Sequence, residues 1–578
     1  MNVAEFLDAK GFRRLFDDRA IVVTNLPSGW TRELAEKTNE RAGRGDATLR
    51  TRSESDTLFA DLAAGADTLR LRDDTGAVTP EGLIVQQLQQ ATIDADAFFD
   101  EPLYVVSITD WPSGEALLKE PVTASGSARI SLWPADPDDQ RHIPSPGPEG
   151  VLFTTSTFSL QSSGNMTLYA PKRSWKIDVE PGDDDDQILG LKRLNLKSMY
   201  NDPSQMREAL AWHLFGQIGI PAARHTYARV GLNSAYRGLY SVIEQIDRRF
   251  LRRYFGKGDH GNIYKANCGN IGCATLEYRR GPGGDDSGRQ YLGTAASDHP
   301  TYRLKTNKDD PEANTYDDLA ALIRVINAVG QPAGSFGSDA YRDAVEQILD
   351  VWAFLRWASA NVLLGSWDNY FATPANYYLF NSGPQGAPKK FLDAPYFTFI
   401  PWDYDNCLGI DYFGTDWQYT NLLDWPANTI RYPHHDGHPG QTSRIPLVQN
   451  LLVHHEFVQY YLDHIEHLLS TEFTPAAIAA RMGTTNAAGL WQRVSQSAYL
   501  EADSPHAPAF TGRQFSNDEV YRASYAQQFL RHGVHSIHGI HHYVRMRYDS
   551  AWAQLKELRA TYPTGASGVD FGQRPDLA

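Results

Sequence analysis

The sequence predicts an α+β fold, and three observations carry that reading. From Glu101 to about residue 280 the chain is built of short runs rich in Val, Ile, Thr and aromatic residues, broken by Pro, Gly and Asp, as strands and turns are. Beyond about residue 345, apolar residues recur at helical spacing over long segments. One helical pattern, NDPSQMREALAWHLFGQIG, is embedded in the β-rich part.

Taken in order, residues 1–100 carry helical patterns (FLDAKGFRRLF, TRELAEKTNERAG, GLIVQQLQQATIDADAFF) and no recognisable chemistry, so they read as a mostly helical accessory region. Residues 101–280 follow as a β-rich unit with one helix. In that helix Asp202 is placed to cap, with Pro203 at the first helical position. YARVGLNSAYRGLYSVIEQID reads as a hairpin turning at Asn233 and Ser234. Residues 281–440 begin as a Gly/Asp/Asn-rich insertion. They continue into one long helix, VEQILDVWAFLRWASANVLLGSW, and then two apolar strands. Residues 441–578 read as all helical.

Composition removes several function classes. A chain of 578 residues with net charge −16 lacks the broad basic footprint that nucleic acid binding needs. It has no run of the ~18 apolar residues that a spanning helix requires, so membrane insertion is not expected. The N-terminus shows no secretion signal, which points to a cytoplasmic setting, with a secreted or surface-associated one left open. Cys268 and Cys273 in CGNIGC read either as a local disulfide or as two inert thiols, and Cys407 stands alone. The acidic run Asp183–Asp186 lacks the spaced ligands of a calcium loop and reads as a solvated turn. The histidines between His532 and His542 recur every three residues, which drifts around a helix and disfavours a metal site.

Four carboxylates and a lysine stand out. Lys176 in KRSWKIDVE points away from Trp175 and Ile177 on its strand, toward either solvent or a bound anion. Asp368 in SWDNYFATPANYYLF follows a long buried helix, and Asn376 comes just before an aromatic strand. The pair brackets either a catalytic loop or an Asx turn. Asp403 and Asp405 in FIPWDYDNCLG end an apolar run, where carboxylates are costly unless a cation, a divalent metal above all, compensates them. Glu208 lies in the embedded helix.

These pieces, together with APKRSWKIDVE, LNLKSMYNDPSQMREALAWHLFGQIGIPAAR, YRGLYSVIEQIDRRFL and GNIYKA, resemble the CotH (spore coat protein H) kinase family over roughly residues 100–480. The resemblance implies an atypical protein-kinase-like fold of two lobes. Its N-lobe would be β-rich and its C-lobe helical. It also implies ATP and Mg²⁺ or Mn²⁺ as cofactors and Ser/Thr of a protein as acceptor. By the same resemblance Lys176 is the phosphate-binding lysine, Glu208 its partner, Asp368 the catalytic aspartate, and Asp403 with Asn376 and Asp405 the metal ligands. Ser163 and Gly164 would cover the phosphates, and Glu244, Gln245 and Ile246 would border the adenine. Two departures from ordinary kinases are present. The phosphate turn LQSSGNMTLYAPK holds a single glycine, and Thr373 stands five residues after Asp368 where an asparagine is usual. Competing readings are a kinase-like enzyme acting on a small hydroxylated metabolite or transferring AMP, a coat or surface assembly protein without catalysis, and a glycosidase using two of the carboxylates.

Overall fold

The computed structural model describes three short strands within residues 19–62 and the chain from 98 to 571, apart from residues 100–102, 113–119, 148–149, 165–167, 169, 171, 180–190, 257–259, 270, 293–299, 384–390, 413, 425–444, 484–488, 504–514, 526–529 and 533–534. It is a mixed α+β structure, as expected. In the accessory region β1 (Arg19–Val23), β2 (Leu49–Thr51) and β3 (Leu58–Leu62) form an antiparallel sheet with β3 in the centre. The helices expected from FLDAKGFRRLF and TRELAEKTNERAG lie outside the described residues, as does the Asp183–Asp186 run.

The β-textured segments build one nine-stranded sheet. Its strands are β4 (Tyr104–Thr109), β5 (Val122–Thr123), β6 (Arg129–Pro134), β7 (Phe153–Thr155), β8 (Phe158–Ser163), β9 (Ser174–Val179), β10 (Arg193–Lys197), β11 (His225–Leu232) and β12 (Ala235–Ile243). The order is β5-β8-β9-β10-β12-β11-β4-β6-β7, antiparallel throughout except for the β11–β4 pair. Period-two alternation divides the residues of β8, β9, β10 and β12 between two faces. Trp175, Ile177, Leu194, Leu196 and Val242 turn to an apolar core shared with Ile108, Ile130 and Val230. Register places Lys176 opposite Asn195 and Gln161, and Lys197 opposite Ser241, so Lys176, Asn195 and Lys197 share the other face. The β11–β12 hairpin turns at Asn233 and Ser234 as predicted, with φ of 49° and 64°, the left-handed pair that matches strand twist.

Helix α1 (Arg207–Gln217) packs on that second face. It starts four residues later than the capping pattern predicted. The Asp202 carboxylate accepts from Ser204 N and from Arg207 N, at 2.9 Å each, and ion-pairs with the Arg207 guanidinium, so it closes a turn in which Gln205 is left-handed. After β12 the chain passes through Glu244–Ile246 to α2 (Arg248–Phe255), which Asp247 caps.

A second sheet joins β13 (Asn262–Ala266), β16 (Tyr302–Leu304), β17 (Tyr377–Asn381) and β18 (Phe397–Pro401), in the order β16-β13-β17-β18 and all antiparallel. Between the first two of these strands, β14 (Cys268–Gly269) and β15 (Gly272–Cys273) form a hairpin that the Cys268–Cys273 disulfide crosses. The insertion also contributes α3 (Asp317–Ile326). The long helix expected at 345–367 is interrupted. Residues 347–350 leave the helix because Phe397 of β18 bonds their backbone, and Asp350 then caps α4 (Val351–Leu364) through Ala353 N at 3.1 Å. Beyond it lie α5 (His455–Ser470), α6 (Leu490–Asp503) and α7 (Ile540–Leu558). The all-helical expectation for the C-terminal part is corrected by a small sheet of Ile410–Asp411 with Leu530–His532 and His535–Ile537, in the segment whose histidines read as helical.

Arg207 is the buried fastener between these parts. Besides Asp202 it donates to the His538 carbonyl at 2.7 Å, and more weakly to the Ala523 and Leu408 carbonyls at 3.4 Å each. Removing one partner of a fully buried pair strands the other charge. Arg207→Met is therefore expected to destabilise the fold by roughly 3–5 kcal/mol, read from the urea midpoint, whereas the double change Arg207→Met with Asp202→Ala should recover part of that loss.

Candidate functional site

The end of β10 delivers Lys197 into the space between the two sheets. Its ammonium bonds Glu208 Oε1 of α1 at 2.8 Å and ion-pairs with Asp403, on the loop that follows β18. It also sits 5.7 Å over the Trp402 ring. Burial alone would lower the Lys197 pKa, but Asp403 and Glu208 outweigh it and hold the lysine charged. Glu208 is itself buried, which pushes its pKa up against the pull of Lys197, and its Oε2 has no hydrogen-bond partner among the described residues.

The aspartate loop is held from below. Asp403 takes a left-handed φ of 65°. Tyr404 then turns inward, where Trp357 Nε1 donates to its hydroxyl at 2.6 Å and the hydroxyl donates to Asn361 of α4 at 3.0 Å. Phe215 of α1 meets the Tyr404 ring edge-on at 4.7 Å. Asp403 and Asp405, on either side of Tyr404, both act on Lys197. Burial and the neighbouring Asp403 charge drive the Asp405 pKa well above the usual carboxylate range.

Asp368 lies on the turn after α4. Asn406 Nδ2 donates to its Oδ2 at 3.0 Å, and Asn406 is held in turn by Asn201 at 3.1 Å. Burial first, and then Asp403, raise the Asp368 pKa to about 7, while hydrogen bonds from Asn406 and Thr373 pull the other way. Thr373, at the position where an asparagine is usual, thus serves the same carboxylate. Asn376 donates to the Asp368 carbonyl at 2.8 Å and is left-handed, with φ of 54°.

Of the sequence candidates, Glu208, Asp368, Asn376, Asp403 and Asp405 converge here. The expected Lys176–Glu208 pair does not form. Lys176 lies one strand further out on the same face, and Lys197 takes the glutamate because β10 ends directly above α1. Lys176 stands among like charges instead: burial, Lys265 and Arg193 lower its pKa to about 8. Glu244 is bound to Arg224 at 2.7 Å and Arg253 at 2.5 Å, so its side chain braces the strand-to-helix connection, and the Gln245 amide donates to the Ile246 carbonyl at 3.1 Å. Ser163 ends β8 and Gly164 follows it, while residues 165–167 are outside the described residues.

Sequence reasoning missed Lys197, Asn406 and Lys265. The signal for Lys197 was present in RLNLK, where Leu194 and Leu196 mark the buried face and the lysine closes the opposite one just before the helix that carries Glu208. Asn406, three residues after Asp403, had no such pattern.

The donor set fits a hard divalent cation. Asp403 and Asp405 supply carboxylate oxygens that repel one another, and the Asn376 amide, whose Nδ2 donates to the Asp368 carbonyl, supplies a neutral one. Among the described residues there is no group of three or more His, Cys, Asp or Glu side chains poised to enclose a metal by themselves. Such a site suits magnesium, which keeps waters and substrate oxygens among its ligands, better than it suits a closed zinc or calcium cage.

Comparison with known proteins converges on the same segment. Residues 160–490, more than half of the chain, match the family model described as CotH kinase protein. The chain is 28% identical to inner spore coat protein H of Bacillus subtilis (strain 168) over 225 residues, which is 39% of this chain and 52% of that protein. It is 22% identical to invasin CotH2 of Rhizopus delemar over 287 residues, 49% of this chain and 42% of that protein. The chain thus spans about half the length of the curated relatives it matches.

The two lysines make opposite predictions. Lys197→Met leaves Glu208 and Asp403 without their common cation and should cost roughly 3–5 kcal/mol of stability in metal-free buffer. Lys176→Met removes one of several crowded cations and strands no carboxylate, because Asp178 keeps Arg193 at 2.8 Å, so its urea midpoint should stay at the wild-type value or rise.

Proposed function

The chain belongs to the CotH kinase protein family, and from that premise we propose that it is an ATP- and divalent-metal-dependent phosphotransferase with a kinase-like two-lobed arrangement, acting on Ser/Thr hydroxyls of a protein. The observation that carries this reading is the Lys197 ammonium shared between Glu208 and Asp403, with Asp368 alongside. A strand lysine, a helix glutamate, a loop aspartate and a further aspartate, in this chain order with 368 preceding 403, are the parts that phosphoryl transfer from ATP requires.

In this reading Lys197, rather than Lys176, neutralises phosphate oxygens, and Glu208 keeps its ammonium aimed into the cleft. Asp403, Asp405 and the Asn376 side-chain oxygen would hold the metal. A bound Mg²⁺ supplies positive charge to the phosphates, which a buried pair of carboxylates can hold only with such compensation. Asp368, fixed by Asn406 and Thr373, faces the acceptor. As the acceptor oxygen bonds to the γ-phosphorus, the bond from that phosphorus to the bridging oxygen breaks, ADP departs, and Asp368 orients the hydroxyl and takes its proton. A carboxyl whose pKa is lifted toward neutrality is a stronger base than an ordinary aspartate, which supports the role.

We place the protein at a surface or in another oxidising setting rather than in the cytoplasm. Its relatives carry the names of a spore coat protein and an invasin, and the Cys268–Cys273 disulfide fits such a setting. No helix among the described residues is long and apolar enough to cross a membrane.

The test is calorimetric titration of ATP with Mg²⁺ or Mn²⁺, paired with label transfer from γ-labelled ATP. Asp368→Asn should keep nucleotide binding and lose transfer by about 10²–10⁴-fold. Asp403→Asn and Lys197→Met should lose metal-dependent binding itself. Absence of binding by the wild type at millimolar ATP with either metal would overturn the reading in favour of an assembly protein.

A further inference from the structure

The helix that follows the matched segment reaches back to the first sheet. α6 begins at residue 490, where the match to the family model ends, and lies against β12. Its middle is docked by Ser497, whose hydroxyl accepts from Arg229 Nε of β11 at 2.8 Å and whose carbonyl accepts from the Tyr236 hydroxyl of β12 at 3.0 Å. Leu490, Trp491, Val494 and Ala498 of the same helix are buried. One turn beyond Ser497, Glu501 is buried as well. Its Oε1 ion-pairs with Lys172, and its Oε2 accepts from Gln205 Nε2 at 3.1 Å. Room for the carboxylate is left by Gly238 of β12, which has a φ of 112°: a Cβ there would overlap Glu501 Oε1 and come to 3.0 Å from Lys172 Cε.

Both partners of Glu501 stand at the approach to elements that build the cleft. Lys172 lies two residues before β9, and its ammonium also donates to the Leu239 carbonyl of β12 at 2.7 Å while sitting 5.1 Å over the Tyr240 ring. β9 runs beside β10, whose last residue is Lys197. Gln205 holds the left-handed position in the turn before α1, three residues ahead of Glu208, and its carbonyl accepts from the Tyr227 hydroxyl at 2.8 Å. One carboxylate of the C-terminal part thus joins the approach to β9 to the approach to α1. Burial lowers the Lys172 pKa, and Glu501 opposes that shift. A buried ion pair adds little stability over an apolar pair of the same volume. Ser497 and the apolar residues of α6 already dock the helix, so the pair contributes position rather than attachment.

We propose that Glu501 is a positioning residue, through which α6 holds the approach to β9 against the approach to α1 and so sets the alignment of Lys197 with Glu208. The C-terminal helix is then a built-in determinant of how well the cleft holds phosphate oxygens. The catalytic consequence rests on the phosphotransferase reading, whereas the structural one, the order of β9 and α1, does not.

The test compares the full chain with Glu501→Gln, Lys172→Met and the double variant. Either single change leaves one charge of the pair buried without the other, so both should melt below wild type. The double variant removes both charges and should recover most of that loss. It should nevertheless keep a KM for ATP raised roughly fivefold or more, with kcat within about twofold of wild type. Stability and alignment are thereby read apart. Recovery of KM together with the melting temperature, or an unchanged KM in all three variants, would overturn the proposal. If the wild type transfers no phosphate, the phosphotransferase reading fails, and amide hydrogen exchange of residues 174–179 and 207–217 decides for Glu501. Faster exchange in the double variant than in wild type supports the positioning role, and equal exchange sinks it.

Discussion

Everything at the centre of this molecule depends on one ammonium group. Lys197 joins the last residue of a strand in the nine-stranded sheet to a helix packed beneath it and to a loop beyond the four-stranded sheet. A single buried cation between two carboxylates fixes the spacing of three elements that are otherwise distant in sequence. Replacing it with an apolar residue would leave like charges facing each other across the cleft. The arrangement is thereby sensitive to any ligand that brings its own charge, since an incoming cation competes for Asp403 and an incoming anion for Lys197.

The packing around this centre explains why the carboxylates hold their places. The Tyr404 ring lies in an aromatic nest with Trp212 and Phe215, and its hydroxyl reaches Trp357 and Asn361. On either side of it Asp403 and Asp405 lie near enough for their charges to act on each other and on Lys197. Asp368 is restrained by a separate chain of amides through Asn406 and Asn201. The acid that would handle the proton and the acids that would handle the metal are thus tied to each other, because Asn406 belongs to the loop that carries Asp403 and Asp405, and that loop is anchored through Tyr404 to the helix that Asp368 follows.

Charge in the cleft is sorted by sheet. The carboxylates gather where β18 ends, and the unmatched lysines and Arg303 gather on β13, β16 and β9.

What was legible in the sequence was whatever depends on local periodicity. The strand texture from Glu101, the hairpin at Asn233 and Ser234, and the alternation that turns Lys176 away from Trp175 and Ile177 all follow from side-chain direction, and the motifs around Asp368 and Asp403 mark two loops that the structure brings together. Tertiary structure decided the rest. Which lysine meets Glu208 depends on where β10 ends relative to α1. The break before α4 is made by a hydrogen bond from Phe397, some fifty residues away. The basic face of the second sheet exists only because Lys265, Arg303 and Lys305 come into register through β13–β16 pairing. Periodicity fixes the face on which a residue lies, but pairing between distant strands fixes its neighbours, and electrostatic partnership is a property of neighbours.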